Sequence, residues 1–309
     1  MSVTKPFFRT CRQLADGSYQ NSGQGRYVSD PRFAIAGPQY VRAFLLIQKD
    51  LLQLFDYIEP ADQNLDCYSY RIHELHMRAC IEVEAHCKAI LSENNYVKPN
   101  RTSEWWNVGD YRKLNPTHRL SSYEIRMPLW HGTKNVRIPF VAWATDGALF
   151  PWYQAYNDAK HDRHNNFPKS NFEALVSTVS GLAALLSAQF TTFDFQPTVI
   201  GTEYGAPDGG FETAIGGYFH VKFPNDWPAD DRYSFDWQTL RPESISDTYL
   251  LSPQPRRMGG AKRYPSPLRL VGFASLYHRT ALTPYNFDNC FSALNRIGNC
   301  RQGTQNMCD

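Results

Sequence analysis

Residues 156–166, Tyr-Asn-Asp-Ala-Lys-His-Asp-Arg-His-Asn-Asn, form the densest polar run of the chain, set between two apolar stretches. At helical spacing Asn157, Lys160, His161 and His164 fall on one face, at i, i+3, i+4 and i+7, so an amide, an ammonium and imidazoles can converge on one small site. Cleavage of an RNA phosphodiester asks for little more: a base for the 2′-hydroxyl, an acid for the leaving oxygen, and cations for the charge of the phosphorane. Histidine supplies the first two near neutral pH, and Lys160 or Arg163 supplies the third. The same residues also read as a solvated helix C-terminus, where cations offset the helix dipole and Asn165-Asn166 begin a turn.

Other candidates are thinner. His73, His76, Cys80 and Cys87 recur at helical spacing, but helical rise spreads them over about 21 Å, too far to share one ion, so no metal site is expected and the face reads as core. The stripe Arg71, Glu74, Arg78, Glu82 reads as a salt-linked face or as a wall opposite His161. Between Asp247 and Asp288 lie Arg256, Arg257, Lys262, Arg263, Arg269 and Arg279 with no acidic residue, and Tyr249, Tyr264 and Tyr277 are interleaved. That patch can contact phosphates and stack single-stranded bases, with Arg256, Arg257, Lys262 and Arg263 as its densest part; it reads equally as a basic loop offsetting acidic surface. No phosphate-binding glycine loop, dinucleotide fingerprint, nucleophile elbow or zincin motif occurs, and no cofactor is expected.

The elements that must position these residues are mainly helical. Val41, Phe44, Leu45, Leu51, Leu52 and Phe55 repeat at three and four between Pro38 and Pro60, which predicts a helix over 38–58. Ile72, Leu75, Ala79, Val83 and Ile90 predict a second over 65–92, with Glu74–Arg78, Arg78–Glu82 and Glu84–Lys88 in support. The runs 123–127 and 136–141 around His131-Gly132-Thr133 predict a short hairpin. Helix resumes near Ala148, breaks at 165–168, and restarts after Ser170 or Asn171 with Phe172, Leu175, Val179, Leu182 and Leu186 inward. Glycine plus proline number 21 in the last 114 residues against 18 in the first 195, so a boundary is placed near 195. The expected organisation is an extension at 1–30, a helical bundle at 31–194 and a β-rich, loop-heavy region at 195–309, with strands near 211–223 and 268–275.

The chain has 309 residues and a formal net charge of +2, so no global field marks a nucleic-acid binder. The N-terminus lacks a secretory apolar run, and the uncharged stretch 174–193 is too polar for a lipid-facing span; a cytoplasmic protein with no membrane partner is expected. Seven cysteines without a C-x-x-C pair read as reduced thiols.

A polar Asn/His cluster at a helix end, a short break and a long final helix rich in small residues together resemble the HEPN superfamily, helical modules of many prokaryotic toxin, antiphage-defence and CRISPR-associated ribonucleases. The resemblance spans about 38–190 by helix order, and its motif about ten residues. That family's motif is Arg, usually then Asn, and a His a few residues on. Asn157 and His161 match it, and Tyr156 stands where the Arg belongs. Arg71-x4-His76 is a second formal match, inside the second helix. The resemblance implies a metal-independent endoribonuclease or toxin/antiphage effector. In it His161 is general acid or base, Asn157 positions it or the scissile phosphate, and Lys160 or Arg163 stabilises charge. A homodimer that completes the site and a cognate partner protein are implied as well. The alternative is a catalytically silent HEPN-like module that binds RNA or a protein through the same surface, and the tyrosine favours it.

Overall fold

A computed structural model of the chain describes residues 7–19, 30–98, 106–145, 147–193, 195 and 208–234. These residues are mainly helical and carry one small antiparallel sheet. Helix α1, Gly37–Phe55, has Pro38 in its first turn and buries Val41, Phe44, Ile47, Gln48 and Leu51 along one stripe. Helix α2, Tyr70–Glu93, opens on the Ser69 side chain, which accepts from the Ile72 amide at 3.2 Å. Two one-turn helices follow, α3 at Val108–Tyr111 and α4 at Leu114–His118. Helix α5 is Pro151–His161, α6 is the single turn Arg163–Asn166, and α7 is Phe172–Phe190.

Helix α7 is the centre of the core. Asn171 caps it by accepting from the Ala174 amide at 3.0 Å, and all its residues except Glu173 and Ser177 are buried. It packs against α2, where Thr178 meets Cys80 and Gln189 meets His86, and α1 and α5 cover other faces. It is the one helix among the described residues long and apolar enough to cross a membrane, and its apolar surface is spent on these neighbours. Its polar groups turn inward to its own backbone: Thr178 donates to the Ala174 carbonyl at 2.8 Å and Ser180 to that of Val176 at 2.7 Å.

The sheet runs β2-β1-β4-β3, with β1 at Glu124–Arg126, β2 at Val136–Arg137, β3 at Glu212–Thr213 and β4 at His220–Lys222. Ile125 pairs with Arg137 on one side and Val221 on the other, and both Ile125 and Val221 are fully buried. The expected hairpin at 123–141 and the expected strand segment at 211–223 therefore form one sheet, drawn from both sides of residue 195. The turn of the first hairpin is pinned by Asp62, which accepts from Trp130 Nε1 and the Thr133 amide, each at 2.7 Å. Those bonds, Trp130 first, hold the Asp62 carboxyl down at about 2. Gly132 sits here at φ +129, and a Cβ would lie 2.3 Å from the Asp62 carboxyl carbon, so only glycine fits.

The N-terminal segment is part of the core. The Cys11 amide donates to the Ala188 carbonyl at 2.8 Å, Leu14 bridges in parallel to Tyr233, and buried Arg9 pairs with Glu93 at 2.6 Å beneath the Tyr40 ring.

Several boundaries differ from expectation. Helix α1 ends at Phe55 rather than 58, and α2 starts at Tyr70 rather than 65, because 62–64 form a separate 3-10 turn committed to the Asp62 contacts. Helix α5 starts at Pro151 rather than near 148. Arg78 pairs across to Asp50 of α1 at 2.6 Å, in place of the expected neighbours on its own helix, whereas Lys88 does meet Glu84 at 3.4 Å. The expected strand at 268–275 lies outside the described residues.

Candidate functional site

Helix α5 carries Asn157, Lys160 and His161 on its outer side. Trp152, Tyr153, Ala155, Tyr156 and Ala159 face the core, which leaves Asn157 half-buried and Lys160 and His161 exposed. Asn157, Lys160 and His161 share one face, as their spacing predicts. His164 does not join them as part of the same helix. The chain breaks at Asp162, φ −145 and ψ 76, whose carboxylate accepts from the Asn165 amide at 3.3 Å and its side-chain Nδ2 at 2.7 Å. A short acidic side chain that caps the next turn outcompetes helix continuation, so α6 starts anew and carries Arg163 and His164.

The site residues differ in what they touch. Tyr156, at the position of the motif's arginine, is buried, and the Lys160 ammonium lies 3.4 Å from its hydroxyl and 5.2 Å from its ring centroid. Both Tyr156 and Tyr153 turn toward Glu84 of α2; the Tyr153 hydroxyl donates to Glu84 Oε1 at 2.9 Å. Burial, then the Glu84 charge, pushes both phenols well above the ordinary tyrosine range. They stay protonated and act as donors. Asn157, His161 and His164 make no hydrogen bond or ion pair among the described residues, and Asp158 instead pairs with Lys169 at 2.7 Å. The arrangement leaves two imidazoles and two cations exposed, with a half-buried amide beside them.

What the sequence did not reveal is the neighbourhood of α6. The 3-10 turn after it places Phe167 against the start of α2, with ring centroids 5.7 Å from Tyr68, 4.8 Å from Tyr70 and 5.5 Å from His73. The Arg163 guanidinium lies 6.0 Å from the Tyr70 ring, and burial together with that guanidinium lowers the His73 pKa. Tyr68 is 53% exposed and Tyr70 70% exposed. An aromatic platform thus lies beside the basic helix end, joined through the fold from residues about ninety positions apart. No local pattern announces it, because Tyr68 and Tyr70 stand in a turn and a helix start with no basic residue other than Arg71 beside them.

The other candidates resolve differently. His76 of the second formal match is a core group, its Nδ1 2.7 Å from Ser170 Oγ and its Nε2 3.2 Å from the Trp152 carbonyl oxygen, while Arg71 is exposed and paired with Glu74 at 3.1 Å. Cys80 and Cys87 are buried, and burial pushes both thiols up out of reach of ionisation. Among the described residues no three His, Cys, Asp or Glu side chains gather as a metal would require. Arg256, Arg257, Lys262 and Arg263 lie outside the described residues, as do Arg269 and Arg279.

Comparison with family models, with curated proteins and with solved structures found no match.

Proposed function

We propose that the chain is a HEPN-like helical module that binds single-stranded RNA at the α5–α6 corner without cleaving it. The observation that carries this reading is Tyr156. The cation that the motif would place there is replaced by a buried phenol committed to the Glu84 side of the fold, while Lys160, His161 and Arg163 are exposed and Arg163 lies by the exposed Tyr70 ring. Exposed cations attract phosphates and exposed rings stack bases, which is the combination single-stranded RNA requires.

A second reading is favoured by the unpartnered His161. A histidine with no internal hydrogen bond, one turn after Asn157, suits a ribonuclease site that a second copy of the chain completes. One experiment separates the two. Purified protein and a His161→Ala variant are incubated with total RNA in EDTA, and fragments with cyclic-phosphate ends are sought. The binding reading expects intact RNA from both and saturable, salt-sensitive binding of an unstructured RNA. Cleavage by the wild type alone establishes the nuclease and overturns the silent module.

A further inference from the structure

A cleft of about 740 Å³ opens on the face of α5 that carries Pro151, Gln154, Ala155 and Asp158, distinct from the corner above. Its walls are mostly apolar, formed by Val136, Ile138, Val141, Ala142, Phe150 and Trp152. Ile138 and Val141, with neighbouring Leu149, are among the large apolar side chains left exposed.

The polar end of the cleft contains Arg137 of β2, whose side chain is only 7% exposed. Its Nη1 is spent: it donates to Glu173 Oε1 at 2.6 Å and to Ser177 Oγ at 3.0 Å, and the guanidinium lies 5.0 Å from the Trp130 ring. Among the described residues its Nε and Nη2 are buried and have no partner. These two N–H groups form the lateral fork of the guanidinium, the edge that binds the two oxygens of one carboxylate or phosphate. A buried donor fork without an acceptor is costly, and a ligand that supplies the acceptors recovers that cost.

Charge narrows the ligand further. Lys134, Arg137, Lys169, Asp158 and Glu173 line the cleft, an excess of one positive charge. Lys169 is taken by Asp158 at 2.7 Å and one edge of Arg137 by Glu173, so a single negative charge beside Lys134 and the free fork balances the site. The N-terminus of α7 contributes nothing: the Phe172 and Glu173 amides already donate to the Cys67 and Leu65 carbonyls at 2.8 and 2.9 Å. A phosphate monoester carries close to two negative charges at neutral pH, whereas a carboxylate carries one.

We infer that this cleft binds a small monocarboxylate with an apolar body, the carboxylate on the Arg137 fork with Lys134 beside it and the hydrocarbon against the Ile138–Trp152 walls. The inference is independent of the RNA reading. It is tested by calorimetric titration of the full chain with octanoate and with octanol, which share the body and differ in the head. Octanoate is expected to saturate a single site, with octanol weaker by at least about tenfold, since a charge-assisted bidentate pair is lost. Ala142→Trp fills the apolar wall and abolishes the octanoate signal, and Lys134→Ala, an exposed position, weakens it several-fold while circular dichroism stays unchanged. Arg137→Gln abolishes it as well, but that variant leaves Glu173 alone and can unfold, so the decision rests on the other two. Equal binding of octanol and octanoate, octanoate binding unaffected by Ala142→Trp, or no saturable octanoate binding overturns the site.

Discussion

Histidine plays two opposite parts in this molecule. In the core, His76, His86 and His118 are struts. His118 alone lies 2.9 Å from Thr10 Oγ1, 2.8 Å from Thr117 Oγ1 and 3.0 Å from the Arg9 carbonyl oxygen, so it ties the N-terminal segment to α4. His86 lies 2.8 Å from the Gln189 amide nitrogen, with its ring 4.6 Å from that of Tyr40. At the α5–α6 corner, His161 and His164 touch nothing that holds them. The residue type is the same, and Arg71-x4-His76 even matches a motif more closely by letter than Tyr156-Asn157-x3-His161 does. What separates support from reactivity is whether the fold has buried the ring and engaged at least one of its nitrogens.

That contrast has measurable edges, the largest in stability. His118→Ala removes a buried ring and strands the polar atoms around it, so unfolding free energy is expected to fall by about 3 kcal/mol in urea titration. A fall below about 1 kcal/mol would show that His118 is no strut.

The next effect is on pH. Burial, the largest cause for each, lowers the pKa of His76 to about 4, of His86 to about 3 and of His118 to about 4. The unfolded chain, with histidines near 6.5, therefore binds protons that the folded chain rejects. Their contribution is complete above pH 6.5 and is lost as pH falls from there toward 4. Glu82, Glu93 and Glu212, raised by burial, act the other way over the lower part of that window, but the histidine shifts prevail. The urea midpoint should drop between pH 7 and pH 4.5, and Asp62 adds its own loss only below about pH 4. An unchanged midpoint across that range would break the account of the buried imidazoles.

The smallest effects belong to the corner. His161→Ala and Arg163→Ala are expected to change stability by less than about 0.5 kcal/mol, as surface substitutions do. Arg163→Ala should still reduce the slope of log affinity for single-stranded RNA against log salt by about one, whereas Tyr70→Ala should weaken binding and leave that slope unchanged. Loss of slope on Tyr70→Ala would sharpen the division of labour by showing that ring and cation act as one unit.

Much of this was legible in the sequence. Helices α1, α2 and α7 announce themselves through apolar residues at three and four, and α1 and α7 also through Pro38 and Asn171 at their starts, whereas the Ser69 cap that starts α2 was not read. The break inside the motif was placed too late, because Asp162 reads as one more polar helix residue until its side chain is seen to cap the next turn. The cluster at 156–166 was visible as a cluster; its aromatic neighbours were not, since Tyr68 and Tyr70 join Phe167 only when α2 and α7 pack. Arg137 was invisible for the same reason. A single arginine in a strand run acquires meaning only when Glu173, 36 positions on, is folded against it.

The buried N-terminal segment bears on how the chain is made. Cys11 hydrogen-bonds to residue 188, Arg9 reaches Glu93 and Gln189, and Leu14 meets Tyr233. During synthesis residues 9–14 have no seat until some two hundred more have followed. Contacts this distant in sequence close large loops, so this seam is expected to be among the last parts of the fold to be secured.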